Sequence, residues 1–179
     1  MISRGEAIQI LREEGCDEKV IQHCMTVADV AVEIAKKNIE AGKDVDVDLV
    51  EIGALLHDLG RAETHGMNHG LVGAKLAKKH NIPKQVLEII KKHIGAGITP
   101  EEAKYFGFPD DDYIPRTLEE KIVAHADNMV KGTKIITLEK REKILDENGA
   151  DDELKERIQN LAYEVEPDKY GPEKKTKKA

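Results

Sequence analysis

A chain of 179 residues has the size of a single domain with one hydrophobic core. Its net charge of −7 argues against general binding to nucleic-acid backbones. No apolar run reaches the roughly 18 residues of a membrane span, and the first residues lack the apolar region of a signal peptide. We therefore expect a cytoplasmic protein without membrane contact. Two cysteines, Cys16 and Cys24, suit a reducing compartment and do not form a C-x-x-C zinc pair.

Helical patterns fill the first part of the chain. A capping box at Ser3 to Glu6 opens a helix that runs to about Glu14, where Gly15 stops it. A longer helix is predicted from Asp17 to about Ala41. Its inward apolar stripe includes His23, so this imidazole is expected to face the core.

The most informative stretch is LVEIGALLHDLGR, from Leu49 to Arg61. Apolar residues recur there at helical spacing, and the stripe ends at His57 with Asp58 beside it. Burying an unpaired carboxylate costs several kcal/mol or more, so this pair needs a compensating cation such as a metal ion. For the pair alone, a buried histidine that is hydrogen-bonded by its neighbour, or that caps a helix, is an equally good interpretation.

Two further apolar stripes contain a histidine. A helix predicted from Asn68 to about His80 has His69 in its first turn, facing inward. The next helix starts at Pro83 and its stripe ends at His93. A lone inward histidine is more often a core residue than a ligand, and the same holds for His23.

The chain is irregular from 94 to 116 and then becomes helical again. The irregular segment contains glycines, a short helix capped at Thr99 and the string FGFPDDDYIP, and we interpret it as a lid beside the pocket. A second capping box at Thr117 opens a helix that carries Asp127 on its apolar face. His125 lies off that face and is not expected to be a ligand.

The predicted fold class is all-α, a single helical domain. It spans residues 1–166, with a core at about 20–131 and one or two closing helices at 132–166. Residues 167–179, which include a KKTKK run, are expected to form a mobile basic tail. The sequence contains no alternating strand pattern and no signal for an oligomeric state.

Five predicted helices thus present an acid or an imidazole from an otherwise apolar stripe. Each residue has a structural explanation, but five independent accidents are much less plausible than one shared site. A mixed imidazole and carboxylate set suits a catalytic Zn, Fe, Mn, Co, Ni or Mg site better than a structural zinc site, which more often uses thiolates. The candidate ligands are His23, His57, Asp58, His69, His93 and Asp127.

The order of these residues is similar to that of a known family. The pattern H…HD…D, filled by His23, His57-Asp58 and Asp127, resembles the HD superfamily of metal-dependent phosphohydrolases. The strings HDLGR, IIKKH and EEKIVAHAD strengthen the resemblance, which extends to about residue 131 and is closest to small stand-alone archaeal and bacterial members. The HD-GYP cyclic-dinucleotide phosphodiesterases have a lysine where this chain has Arg61, and the GYP motif is absent, so cyclic di-GMP is not an expected substrate.

The resemblance implies an all-α bundle that binds one or two divalent cations. For a first ion it implies the ligands His23, His57, Asp58 and Asp127. For a second, weaker ion it implies His69 and His93, with Asp58 bridging the two. Two-metal phosphoryl-transfer sites generally hold their ions about 3.5–4 Å apart.

The resemblance further implies hydrolysis of a phosphate monoester or diester, on a small phosphorylated substrate with nucleotides among the candidates. Water activated by the metal attacks phosphorus, and Asp58 orients that water. Arg61 follows the helix stop and is a candidate to bind a phosphate oxygen, although a solvated arginine at a helix end is an equal alternative. Two other functions use the same ligands: a non-catalytic regulatory module that binds metal and a nucleotide, and a di-iron HD oxygenase.

Overall fold

The computed structural model describes residues 1–171, and helices dominate that range, which confirms the all-α prediction. Its helices are α1 (Arg4–Glu13), α2 (Glu18–Glu40), α3 (Val47–Leu56), a 3₁₀ helix (Leu59–Ala62), α4 (His69–Lys79), α5 (Lys84–Lys92), α6 (Pro100–Tyr105), α7 (Leu118–Asn128), α8 (Leu138–Glu147), α9 (Asp152–Val165) and α10 (Pro167–Tyr170). Two strands, β1 (Val130–Lys131) and β2 (Lys134–Ile135), form a short antiparallel ladder between α7 and α8. The sequence did not predict this ladder, because two-residue strands are too short to show alternation.

Polar caps fix where the main helices begin. Ser3 and Thr117 each form a capping box: the hydroxyl accepts a hydrogen bond from the backbone N–H of a glutamate three residues later, and the side chain of that glutamate accepts one from the backbone N–H of the cap. The side chain of Asp17 accepts from Val20 N at the start of α2. These are the signals from which the helix starts were predicted.

The core lies where α2 packs against α3 and α7, and where α3 packs against α5. Large apolar side chains fill this space, and the fully buried ones include Leu11, Ile21, Leu55, Leu56, Ile89 and Ile122. The start of α2 lies beside the end of α3, since 3.6 Å separates His23 Nε2 from Asp58 Oδ2. The helix packing therefore brings distant polar residues to one end of the core.

The closing helices α8 and α9 form a second apolar cluster around Met129, Leu138 and Ile158. Helix α10 begins at Pro167, inside the segment that the sequence assigned to the tail, and the ring of its Tyr170 contacts His125. The remainder of the predicted tail, residues 172–179, lies outside the described residues. Within residues 1–171 no helix combines the length and the apolar character needed to cross a bilayer.

A close backbone contact joins the 3₁₀ helix to α4, and it depends on glycine. A Cβ placed on Gly60 would lie 1.8 Å from the carbonyl oxygen of His69 and 2.8 Å from the nitrogen of Gly73. Backbone atoms cannot move aside as a flexible side chain can. Gly60 therefore sets the distance between the segment that carries Asp58 and the helix that begins with His69.

We expect Gly60→Ala to lower the free energy of unfolding by about 1–3 kcal/mol or more, because the added methyl group overpacks this contact. Urea denaturation followed by circular dichroism measures the change. Gly5→Ala is the matched control, since its nearest neighbour would be Ser3 Oγ at 3.9 Å. Alanine is the better helix former, so the control should be neutral or more stable by up to about 1 kcal/mol. Equal unfolding midpoints for the two variants would contradict the close-contact argument.

Candidate metal centre

The six candidate ligands meet at one end of the helical core. They are His23 near the start of α2, His57 and Asp58 after α3, His69 at the start of α4, His93 after α5, and Asp127 near the end of α7. Their nitrogen and oxygen atoms form three overlapping groups, and in each group these atoms lie within 4.8 Å of one another. Residues that are up to 104 positions apart in the sequence thus share one small volume.

Each of the four imidazoles is held by a backbone carbonyl. The Nδ1 contacts are His23 to Gly132 O (2.7 Å), His57 to Ala54 O (2.6 Å), His69 to Gly66 O (2.8 Å) and His93 to Ile90 O (2.7 Å). Because a carbonyl oxygen can only accept, each Nδ1 must carry the proton and donate it. The unprotonated nitrogen that can bind a metal is then Nε2, which faces the cluster in all four rings.

The Nε2 atoms are arranged for a cation. His57 Nε2 is buried and makes no well-aligned hydrogen bond within the described part of the chain, with Asp127 Oδ1 at 3.3 Å. His69 Nε2 and His93 Nε2 lie 3.0 Å apart. With both Nδ1 atoms protonated, two lone pairs face each other there, which is favourable only with a proton or a metal ion between them. The donor set therefore fits a divalent cation.

Asp58 presents its two carboxylate oxygens to two different pairs of histidines. Oδ2 lies 3.6 Å from His23 Nε2 and 3.5 Å from His57 Nε2. Oδ1 lies 3.3 Å from His69 Nε2 and 3.4 Å from His93 Nε2. A carboxylate with this two-sided environment is suited to bridge two cations.

Asp127 belongs to the side of the cluster that contains His23 and His57. Its Oδ1 lies 3.0 Å from His23 Nε2 and 3.3 Å from His57 Nε2. The structure thus brings together all six predicted ligands. One side of the cluster contains His23, His57, Asp58 and Asp127. The other side contains His69 and His93, which face the second oxygen of Asp58.

The electrostatics keep both carboxylates ionised. Burial raises the pKa of Asp58, but the charge of His57 and the imidazoles of His69 and His93 beside Oδ1 hold that pKa well below its usual value. The pKa of Asp127 is also lowered against the effect of burial, by His57 and His23. Burial lowers the pKa of His57, yet the two carboxylates raise it well above its ordinary value. The cluster therefore attracts positive charge.

A cavity of about 220 Å³ lies over the cluster, and two arginines line it. Arg61 was predicted from the sequence; its Nη1 donates to His65 O at 2.6 Å and its Nε lies 3.8 Å from Asp58 Oδ1. Arg141, on α8, was missed. A signal for it exists, because Arg141 is three residues from both Leu138 and Ile144, the buried residues of that helix. It is a charged residue on an apolar stripe, the pattern that identified Asp127.

The remaining histidines lie outside the cluster. His65 is exposed, and His80 Nε2 lies 2.6 Å from Glu14 Oε1. His125 is buried with its Nε2 2.7 Å from Glu166 Oε2, away from the ligands, as its position off the apolar stripe of α7 predicted. Lys131, on β1 beyond the end of α7, is exposed and does not line the cavity.

The segment 94–116 covers less of the pocket than the lid prediction required. Only its first two residues, Ile94 and Gly95, line the cavity, where Asn128 Nδ2 donates to Gly95 O at 2.9 Å. The rest packs into a separate small cluster around Ile98 and Tyr113. The lid prediction is therefore wrong for most of the segment, because its apolar side chains pack against one another rather than over the ligands.

The comparisons with known proteins agree with this geometry. The profile of the HD domain family matches residues 20–131. An uncharacterized protein of Methanocaldococcus jannaschii is 48% identical over 134 residues, which cover 75% of this chain and 79% of that protein. A tRNA (cytidine(56)-2'-O)-methyltransferase of Thermoplasma volcanium is 42% identical over 146 residues, and this chain covers 76% of its own length but only 42% of that relative.

The same fold occurs in a solved structure. The HD domain of the Listeria monocytogenes phosphodiesterase PgpH, in complex with cyclic-di-AMP, superimposes with a TM-score of 0.55 at 16% identity. The match covers 87% of this chain and 92% of that domain. At this low identity, the similarity supports the fold alone.

Both thiols lie near the centre and are poor nucleophiles and poor ligands. Burial raises the pKa of Cys16 to about 12, and burial also raises the pKa of Cys24, which is fully buried beside His57. The thiolate is the form that reacts and that binds metals. Neither cysteine should therefore take part in the chemistry of the cluster.

We expect iodoacetamide to label both thiols much more slowly in the native protein near neutral pH than in concentrated guanidinium chloride. Mass spectrometry of the alkylated protein measures the rates. Cys24→Ser should retain the metal content of the wild type. Rapid native labelling of Cys24, or loss of metal in the serine variant, would show that the thiol belongs to the site.

Proposed function

This chain belongs to the HD domain family, and we propose that it is a metal-dependent phosphohydrolase whose substrates are nucleotide phosphodiesters. The observation that supports this best is the buried cluster in which Asp58 faces two histidine pairs below a cavity lined by Arg61 and Arg141. Cations at its base and guanidinium groups at its wall are the two features that a phosphate group needs.

The size of the cavity agrees with a phosphate group. Pockets that enclose a whole drug-sized ligand measure roughly 300–1,000 Å³. At about 220 Å³, this cavity holds a phosphoryl group and its immediate neighbours, while a sugar or base extends beyond its mouth. The cavity is therefore expected to recognise the phosphate group rather than the rest of the substrate.

The relatives favour a nucleotide as the remainder of the substrate. The PgpH domain is named as a phosphodiesterase and was solved with a cyclic dinucleotide. The Thermoplasma relative is named as an enzyme of tRNA. A phosphodiester that links nucleosides is the substrate chemistry that fits both names.

When bound, divalent cations would supply an acidic water near neutral pH and would stabilise negative charge on the phosphate oxygens. His23, His57, Asp58 and Asp127 would hold one ion, and Asp58, His69 and His93 a second. The carbonyl bonds to each Nδ1 keep the four rings in their binding orientation. Arg61 donates to a non-bridging oxygen of the substrate, and Asp58 accepts a hydrogen bond from the attacking water.

A panel of phosphate monoesters, nucleotides and dinucleotides, assayed with Mn, Co, Ni, Mg and Fe, tests the proposal. Running the panel without oxygen separates hydrolysis from the chemistry of a di-iron oxygenase, which consumes O₂. Turnover of a diester under anaerobic conditions supports a hydrolase. A metal-loaded protein that binds a nucleotide but cleaves no ester is a regulatory module instead.

We expect His57→Ala and Asp58→Ala each to remove bound metal and to lower turnover by more than about 100-fold, because a lost ligand costs at least as much as a lost outer-shell partner. Metal analysis and the hydrolysis assay measure the two effects, and circular dichroism should still show a helical protein. His80→Ala is the matched control, since that histidine pairs with Glu14 outside the cluster. Retained hydrolysis in either ligand variant would disprove the assignment.

We expect His69→Ala or His93→Ala to lower the metal content from near two ions per chain toward one. Both imidazoles face Asp58 Oδ1, while the other side of the cluster keeps its four ligands. Turnover should fall, with the first ion retained. Equilibrium dialysis at saturating metal gives the ratio. A variant that carries both substitutions completes the test. If it and the wild type each hold one ion, the site is mononuclear and these histidines have another role.

A further inference from the structure

Arg141 differs from every other arginine in the chain, because it has no acidic partner within 4.0 Å among residues 1–171. The other five arginines each lie within 4.0 Å of a carboxylate oxygen. Within residues 1–171 no carboxylate lies that close to Arg141, although the chain as a whole is acidic. Its side chain is nonetheless half-buried and lines the cavity over the metal ligands. A partly buried charge without compensation is costly, so its presence requires an explanation.

The guanidinium is fixed by the backbone that follows Asp127. Nε of Arg141 donates to Asn128 O at 2.6 Å, and Nη2 donates to Val130 O at 3.1 Å. A guanidinium has five N–H groups, so three remain without a protein acceptor in the described residues. The group is therefore held firmly by two of its hydrogen bonds and retains donors for a ligand.

The charge of Arg141 is compensated only in part by the protein. Burial lowers the pKa of Arg141, and the negative charge of Asp127 partly offsets this effect. A cation held by Asp127 would cancel that negative charge. With cations in the cluster, the guanidinium needs an anion in the cavity.

We propose that Arg141 binds a non-bridging oxygen of the substrate phosphate, in the same cavity as Arg61. This inference rests on the proposed function and extends it, since Arg141 lies outside the segment that matches the family profile. Arginine presents a planar fork of donors that matches two phosphate oxygens. The ligand of this subsite is thus the phosphoryl group itself, and its sugar or base is recognised elsewhere.

A purely structural role is the alternative. Asn128 is the last residue of α7, and an arginine that donates to carbonyls at a helix end stabilises that end without any ligand. Such a role predicts that substitution lowers the melting temperature but leaves phosphate affinity unchanged. A phosphate subsite predicts that substitution weakens phosphate binding and has little effect on the melting temperature.

Calorimetric titration of inorganic phosphate into the Mn-loaded 179-residue chain separates the two roles. We expect Arg141→Gln to keep the metal content and to bind phosphate roughly 10–100-fold more weakly, the loss associated with a hydrogen bond to a charged group. Arg141→Lys keeps the charge but not the fork, and it should lose less affinity. Arg4→Gln is the control, because Arg4 pairs with Asp29 and Glu51 away from the cavity. It should bind phosphate as the wild type does.

Unchanged phosphate affinity in Arg141→Gln, or an equal loss in Arg4→Gln, overturns the proposal. If Arg141→Gln loses metal or fails to fold, Arg141→Lys decides: weakened binding at normal metal content supports the subsite, and wild-type binding overturns it. The same experiments distinguish a failure of this subsite from a failure of the proposed function. A wild type that binds phosphate through Arg141 yet cleaves no ester retains the subsite and is no hydrolase, whereas a hydrolase that is indifferent to Arg141→Gln lacks this subsite.

Discussion

Two ionised carboxylates, Asp58 and Asp127, lie at the end of an apolar core, and the surrounding structure compensates for their burial. Side-chain exposure is only 12% for Asp58 and 22% for Asp127. Desolvating such groups costs several kcal/mol each unless positive charge or strong donors lie nearby. Four imidazoles surround them, but their Nδ1 protons are directed to the backbone. Against the effect of burial, the two carboxylates raise the pKa of His57 well above its ordinary value, so they favour positive charge beside them, and a divalent cation would supply that charge when bound.

The same contacts that end the helices also prepare the ligands. His57 and His93 each follow a helix, and each donates from Nδ1 to the carbonyl oxygen three residues earlier, Ala54 O or Ile90 O, in the last turn of that helix. His69 makes the equivalent bond to Gly66 O before α4. A histidine placed just beyond an apolar helix therefore donates to a carbonyl of the last turn and, by doing so, fixes which nitrogen faces the centre. The same Nδ1 hydrogen bond thus contributes to the helix end and orients the imidazole.

This local logic explains how much the sequence could predict. The helix starts followed from capping boxes, and the six residues of the cluster were found because an acid or imidazole on an apolar stripe must meet a partner inside. Arg141 carried the same signal but was missed, since its partners, Asn128 O and Val130 O, are set by a two-residue ladder with no periodic pattern. The lid failed for a related reason. The sequence shows the aromatic residues of this segment. Whether they pack against one another or over the pocket depends on long-range contacts, which the sequence pattern does not show.

The segment from Asn128 to Gly132 connects the candidate cation site to Arg141 in the wall of the cavity. Its first and third carbonyls accept from Arg141, and its last accepts from His23 Nδ1. Gly132 has a positive φ of 63°, which allows the tight turn that presents this carbonyl. The ring of His23 is thus oriented by a carbonyl that is distant in the sequence, whereas the other three imidazoles donate to carbonyls three residues earlier. Because the turn and α8 are adjacent in sequence, any shift of this segment moves a metal ligand and Arg141 together, so cation and phosphate binding should be energetically coupled through it.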